Sequence, residues 1–531
     1  MSDSSPLIPE RRSKRRQRST RDNMEKLSNA VQLVLGLGSL NSSSAAGSPS
    51  ALSACQQLGA TFPNNATFAP HDALYTPLAH AHWSETAWEQ PTCIFLPENA
   101  AQLQTAIPLI AEHQSQFAIR AGGHLEAVGA ASTNDGVLID LSRLKRLEYH
   151  AEVQEAVLGP GLRWGDVYGY LDPFKVTVVG GRVLDVGVGG LPLGGGLSYL
   201  SDLHGMVCDN IVNYEVVLAD GSLVNANAGS NPDLYRALKG GGNNFGIVTS
   251  YTLRTYPIND AWGGTKVFSW DKIGAVLDAI TAYQNLPDKD PYANMNLNAA
   301  ATNQTTLGVI LTLVYLKPVD KPAIFSDFHK IETLMDTTGL KPLSSIMGEF
   351  PTPNVPRAKH WITTHKATKS MQKTIEHIMA TTPHLDTIKS VPYGTGVFSW
   401  QPIAPSLVEA GRCGGGASHD AEKSNYKGNS MGLEPVAQNW FHLDVLWQSA
   451  ADDDKVAQAA QAIVDEIESA ARNEGSYLPY LFMNDAHEGV PVIASYGADN
   501  VRRMWEASKR YDPHQVFQKL LPGGFKLPPL P

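Results

Sequence analysis

Phe117-Ala118-Ile119-Arg120-Ala121-Gly122-Gly123-His124 decides how this chain is read. Phe117 to Arg120 has the texture of a short strand, and it runs straight into a glycine turn that ends on a histidine. Upstream, Thr92 to Leu96 is a short apolar strand, and Glu98 to Gln114 places Leu103, Ala106, Ile107 and Ile110 on one helical face. Strand, helix, strand and glycine turn make a βαβ unit with something bound at its exit.

Two further glycine clusters follow: Gly187-Val-Gly189-Gly190-Leu-Pro-Leu-Gly194-Gly195-Gly196 and Gly240-Gly241-Gly242-Asn243-Asn244-Phe245-Gly246. Glycine lets backbone N–H groups approach a bound group closely and converge, which suits a phosphate or pyrophosphate. One cluster alone reads as a sharp turn. Three so close together point to one anionic cofactor. There is no GKS or GKT to make a P-loop, and none of the clusters is a strict G-x-G-x-x-G, so the usual dinucleotide fingerprint fails.

Outward from these clusters, Val137 to Leu141 and Ala156 to Leu158 continue the strands. Asp220-Gly221 predicts a type I′ hairpin within Asn213 to Asn225, Asn231-Pro232 caps a short helix, and Ile247 to Tyr256 is a last strand. From about 260 to 470 the glycines thin out. Alternation over Met295 to Leu316, an amphipathic helix at Met371 to Met379 and a clear one at Asp452 to Asn473 predict an antiparallel sheet with helices behind it.

Taken together, Arg120 to His124, the Val186-Gly-Val-Gly-Gly190 stretch with Gly194 to Gly196, Asp209-Asn210, Ala219-Asp-Gly221 and Gly240 to Val248 resemble the berberine-bridge-enzyme-like FAD-linked oxidases. These belong to the vanillyl-alcohol-oxidase and p-cresol-methylhydroxylase (PCMH) superfamily. The resemblance is dense over about 88–257, resumes from about 475 to 527 and is weak between. It implies an α+β protein: a PCMH-type FAD-binding domain of two α/β subdomains, plus a substrate domain with a large antiparallel sheet flanked by helices. The expected layout is a leader over 1–54, the FAD domain over 55–257, the substrate domain over 258–474, and 475–531 returning to the FAD domain.

By the same resemblance His124 is the expected anchor to the flavin 8α-methyl group, with Arg120, Gly122, Gly123, Gly187, Gly189, Gly190 and Gly242 around the cofactor. Many relatives bond the flavin a second time through a cysteine just before the V-G-V-G-G stretch. That position holds Val183 here, so a single link is expected. Gly181, two residues earlier, would leave space over the flavin for O2. Asn210, Asn243 and Asn244 are expected to line the loops around the ribityl and phosphate groups, and Asn484 to hydrogen-bond the flavin ring or ribityl chain. Relatives commonly show an aromatic-x-Asn-aromatic segment here. This chain has Phe482-Met483-Asn484-Asp485, which leaves Tyr480 and Asp485 as candidate bases, with structural hydrogen bonding the alternative for each. In the substrate domain Trp400, His442, Asp444 and Trp447 are candidates to face the pocket, or core residues.

The bulk properties agree with such an enzyme. A net charge of −10 argues against a general nucleic-acid binder, and no apolar run reaches the ~18–20 residues of a membrane helix. The four cysteines have no zinc-like spacing, so no metal is expected; Cys55 and Cys93 are either one disulfide or two buried thiols. Arg11 to Arg18 is a basic run. The apolar stretch Ala30 to Leu40 before Ser44-Ala45-Ala46 resembles a secretory signal, and sequons at Asn41, Asn65 and Asn303 are compatible with it. The expected activity is FAD-dependent oxidation of an alcohol or activated C–H of a small organic molecule by O2, in secondary metabolism. The alternatives are a carbohydrate oxidase, or a flavoprotein that catalyses a non-redox cyclisation.

Overall fold

The computed structural model describes residues 47–63, 66–302, 308–349, 355–412 and 428–530. The basic run, the signal-like stretch, the three sequon asparagines and Cys413 lie outside them. A helix, Pro49–Thr61, starts ahead of the expected boundary at 55. Ala51, Ala54 and Leu58 are fully buried, and Ala54 and Leu58 share the core of the first subdomain. No described helix is long and apolar enough to cross a membrane.

The first subdomain is a four-stranded sheet in the order Thr67–Phe68, Cys93–Phe95, Val137–Asp140, Phe117–Arg120. The βαβ unit is present, but Val137–Asp140 lies between its two strands and pairs in parallel with both. The connecting helix Ala100–Glu112 begins where the Asn99 side chain accepts from Gln102 N–H, and it buries Leu103, Ala106, Ile107 and Ile110. Cys55 and Cys93 are joined as a disulfide, which settles the choice the sequence left open. The C-terminal segment returns here: Leu520 accepts from Phe117 N–H, and Val516, Phe517 and Leu521 enter the same core.

The second subdomain is a six-stranded sheet built around Ile247–Tyr256, which pairs with Glu155–Leu158 on one side and Ile211–Val217 on the other. Ile211–Val217 and Leu223–Asn227 form the expected hairpin. Its turn is not type I′, because only Gly221 takes a positive φ and Asp220 does not. Gly221 N–H donates to Leu218 and Leu218 N–H to Ser222, the pattern of a type I turn closed by a glycine bulge.

The substrate domain carries a nine-stranded sheet whose pairings are all antiparallel. Its central order is Asp260–Phe268, Val309–Tyr315, Ala293–Thr302, Thr395–Ile403, Gln438–Trp447, Arg357–Lys366. Tyr477–Leu478 still pairs with Arg357–Lys366, so the chain leaves this sheet after Leu478 rather than at 474. One face packs on the helices Ile273–Gln284, Lys369–Thr381 and Asp453–Asn473 through Leu297, Phe398, Trp400, Phe441, Leu443, Val445 and Trp447. Strand alternation sends Asn298, Ser399, Gln401, His360, His442 and Asp444 to the opposite face. That face meets the FAD-domain side, since Ile362, Ile403 and Trp440 share a core with the second subdomain.

Candidate functional site

The three glycine clusters converge. A Cβ on Gly122 would lie 2.5 Å from Gly187 Cα, and one on Gly189 would lie 2.5 Å from Ala121 Cβ, so the first two loops cross with no room for side chains. Arg163 bridges the crossing by pairing with Gly187 and donating to Gly122 O at 3.3 Å. Tyr251 Oη donates to Gly189 O at 2.6 Å. Gly242 N–H donates to Leu193 O at 3.0 Å and joins the third loop to the second.

His124 stands at this crossing. Its Nε2 is buried and has no hydrogen-bond partner, and its ring stacks on Trp83 at 4.8 Å with an interplanar angle of 7°. Desolvation, helped by the charge of His360, pulls its pKa down to about 4, so the imidazole is neutral at physiological pH. A buried, uncharged, unpartnered ring nitrogen beside crossing glycine loops is what an FAD anchor requires. Gly190 adds open space in the second loop, where an added Cβ would meet nothing within 4 Å.

Several expected cofactor residues also hold the loops together. The Arg120 guanidinium is buried and donates to Asp140 from Nε and Nη2, and to the carbonyls of Leu78 and Ala79, so it braces the strand beneath His124. Gly123 backs onto Ala81 O. Asn210 donates to the carbonyls of His204 and Met206 and accepts from Tyr256 Oη. Asn243 and Asn244 tie the third loop to the C-terminal segment through Gly523, Phe525, Gln518 and Lys526. Asn484 accepts from Gly196 N–H at 3.0 Å and donates to Leu191 O at 3.1 Å, which ties it to the second glycine loop.

Packing bears on three further expectations. Gly181 opens no space: a Cβ there would strike the Trp164 ring at 2.6 Å, so glycine is required by an indole packed beneath it. Tyr480 is buried between Trp440 and Tyr496 with its hydroxyl on Met431 Sδ at 3.4 Å, and desolvation pushes its pKa up, which favours the structural alternative. Trp400 and Trp447 belong to the substrate domain's own core. Val183 is partly exposed, and Cys208 is a buried thiol whose pKa desolvation raises well above the usual range.

Asp485, His442 and Asp444 do reach the polar sheet face. Asp485 accepts from Gln401 Nε2 at 2.5 Å, and Gln401 Oε1 accepts from Arg182. Asp444 lies opposite His360 in the register; it takes His442 Nδ1 at 2.6 Å and His360 Nε2 at 3.2 Å. His360 Nδ1 and its backbone N–H both reach Glu126 Oε1, at 2.8 and 3.1 Å. Burial opposes a charge on His360, but Glu126 and Asp444 outweigh it and hold the pKa at about 10. His360, His442 and Asp444 lie close enough to hold a cation; here His360 itself carries the positive charge between two carboxylates. Sequence reading missed Glu126, Arg182, His360 and Gln401. Glu126 and Arg182 adjoin quoted motifs, and the other two alternate with apolar residues on strands, a signal that marks a face but not what the face meets.

The pattern of glycine loops, buried imidazole and facing polar sheet defines a two-domain flavoprotein oxidoreductase. Residues 91–227 match the FAD binding domain family. The chain is 34% identical over 464 residues to an FAD-dependent monooxygenase of Arthrobotrys oligospora, covering 86% of each. It is 34% identical over 481 residues to the bifunctional solanapyrone synthase of Alternaria solani, covering 89% of each. The fold superposes on xylooligosaccharide oxidase from Myceliophthora thermophila C1 with a TM-score of 0.71 at 18% identity, over 90% of this chain and 99% of that one. With 6-hydroxy-D-nicotine oxidase from Arthrobacter nicotinovorans the TM-score is 0.69 at 17% identity, over 87% and 97%. This chain belongs with these curated relatives to a family of FAD-dependent oxidoreductases, and it shares its fold with a berberine-bridge-enzyme-like protein of Physcomitrella patens.

Proposed function

We propose that the enzyme carries FAD on a single covalent bond from His124 and oxidises an alcohol or activated C–H of a small secondary metabolite, with O2 as final acceptor. The observation that carries the reading is the buried Nε2 of His124, unpartnered and uncharged at the crossing of the glycine loops. Bound FAD supplies the two-electron acceptor. The chain supplies the rest: crossed loops braced by Arg120, Arg163 and Asn484, and a sheet face bearing Asn298, Ser399, Gln401, His442 and Asp444 that can orient a hydroxylated substrate and move its proton. A single link follows from Val183 at the position where relatives carry cysteine, and from the burial of Cys208. The name of one curated relative, a bifunctional solanapyrone synthase, supports a biosynthetic role on a small organic molecule. The polar sheet face supports carbohydrate as the second reading. The Cys55–Cys93 bridge supports passage through an oxidising secretory compartment.

Intact mass and acid precipitation test the link. The expected result is protein heavier than the polypeptide by one FAD, with yellow colour in the pellet and loss of both in His124→Ala. Release of all flavin into the acid supernatant overturns the covalent reading. Peroxide formed in step with product supports O2 as acceptor, whereas oxygen from 18O2 in the product would make the enzyme a monooxygenase.

A further inference from the structure

We propose that His442 is the catalytic base, with Nε2 taking the substrate's hydroxyl proton, Asp444 fixing its tautomer and His360, clamped by Glu126, fixing Asp444. The inference rests on the alcohol-oxidising reading above and names its proton acceptor.

The argument begins with hydrogen-bond direction. Burial works against ionisation of Asp444, but the neighbouring His442 and His360 outweigh it and hold its pKa below the usual carboxylate range, so at neutral pH Asp444 accepts and does not donate. His442 Nδ1, 2.6 Å from Asp444 Oδ1, therefore carries a hydrogen, and Nε2 is the nitrogen left to accept one. His360 cannot play this part: both its nitrogens are committed, Nδ1 to Glu126 and Nε2 to Asp444. Ser399 Oγ lies 3.1 Å from Asp444 Oδ2 and 2.8 Å from Asn298 Oδ1, and its one hydrogen is shared between these two acceptors.

Charge accounting points the same way. Glu126 and Asp444 contribute two negative charges and His360 one positive charge. With Nε2 of His442 unprotonated the cluster is one negative charge in excess, and one proton taken up there neutralises it. The other charged groups near the cluster are Asp485, which acts on His360 from the C-terminal segment, and Arg182, which acts on Asp485 from the loop before the second glycine cluster. Lys359, on the His360 strand, is neutralised by Glu488.

Position is the third line. His442 lies on the sheet face turned to the FAD domain. A row of rings links it to the anchor: His124 on Trp83 at 4.8 Å, Trp83 on His360 at 5.9 Å, and His360 edge-on to His442 at 5.8 Å. Glu126, two residues beyond His124, belongs to the same loop. In the step itself the substrate O–H bond breaks and its proton goes to His442 Nε2. The carbinol hydrogen would leave with the C–H electron pair to bound FAD, as the C–O bond becomes C=O. His442 then returns the proton to solvent.

The test uses holoenzyme and two readouts. Diethyl pyrocarbonate acylates accessible, unprotonated imidazole nitrogen; peptide mass mapping at pH 7 is expected to find the adduct on His442 and not on His360. Anaerobic flavin reduction by benzyl alcohol as probe is expected to fall ~10²–10⁴-fold in His442→Gln, as for removal of a general base. Probe affinity should change little and the acidic limb of the pH–rate profile should vanish. Asp444→Asn, which keeps the shape, should lose less rate and move that limb to lower pH. An unlabelled His442, or a His442→Gln enzyme with normal flavin content and wild-type rate, overturns the proposal. A wild-type enzyme that labels at His442 but is not reduced by benzyl alcohol counts against the alcohol reading instead.

Discussion

His360 and Glu126 meet across the two domains, imidazole Nδ1 to carboxylate Oε1 at 2.8 Å, with the carboxylate side chain 1% exposed. One residue comes from the substrate-domain sheet and the other from the loop that carries His124, so the contact locks the two domains where the cofactor is expected to be anchored. Breaking such a pair leaves a buried charge unmatched, which costs more than the pair itself contributes.

The lock makes stability depend on alkaline pH. The folded pKa of His360, about 10, lies above its unfolded value near 6.5. Its contribution is therefore fully present below about pH 6.5 and is lost progressively as pH rises towards 10. Urea midpoints measured between pH 6.5 and 9.5 should fall with pH in the wild type. They should fall less steeply in Glu126→Gln, which starts from a lower value.

Asp140→Ala removes the buried partner of Arg120 and strands the guanidinium beneath the first glycine turn. Loss of one partner of a buried pair costs about 3–5 kcal/mol. Chemical unfolding should report a loss in that range, together with sub-stoichiometric flavin. Undiminished stability would mean that the carbonyls of Leu78 and Ala79 satisfy Arg120 alone.

Gly122→Ala drives a methyl group into the Gly187 backbone at 2.5 Å, where no flexible side chain can yield. Overpacking of this kind costs about 1–3 kcal/mol. The expected outcome is a folded protein with a low flavin-to-protein absorbance ratio, while Gly190→Ala, which meets nothing within 4 Å, stays at the wild-type ratio.

Cys55→Ser opens a disulfide that closes a sequence separation of 38 residues. The chain-entropy account assigns such a loop about 4 kcal/mol. Denaturation should show that loss, and dithiothreitol should produce it in the wild type but add nothing to the variant.

Much of the fold was legible because it is written in local periodicity. The strands Phe117–Arg120 and Ile247–Tyr256 and the buried stripe of Ala100–Glu112 follow from alternation and 3.6-residue spacing. The hairpin turn was misread at Asp220 because the dipeptide tells that a turn occurs, not how the strands enter it. Gly221 is also held by the neighbouring subdomain, where Gln104 Nε2 donates to its carbonyl at 3.1 Å.

By itself the sequence determined the cofactor class and pointed to His124 as the candidate anchor, because glycine-rich loops and the histidine that follows them are contiguous in the chain. It could not determine which polar side chains serve the cofactor and which brace the loops, because Asn484, Asn210 and Arg120 find their partners through contacts remote in sequence. Nor could it join Glu126, His360, Asp444 and His442. Two domains and three separate segments supply those residues. Strand pairing within the substrate sheet sets His360 beside Asp444 and His442, and only the packing of that sheet on the FAD domain brings Glu126 within hydrogen-bond distance of them.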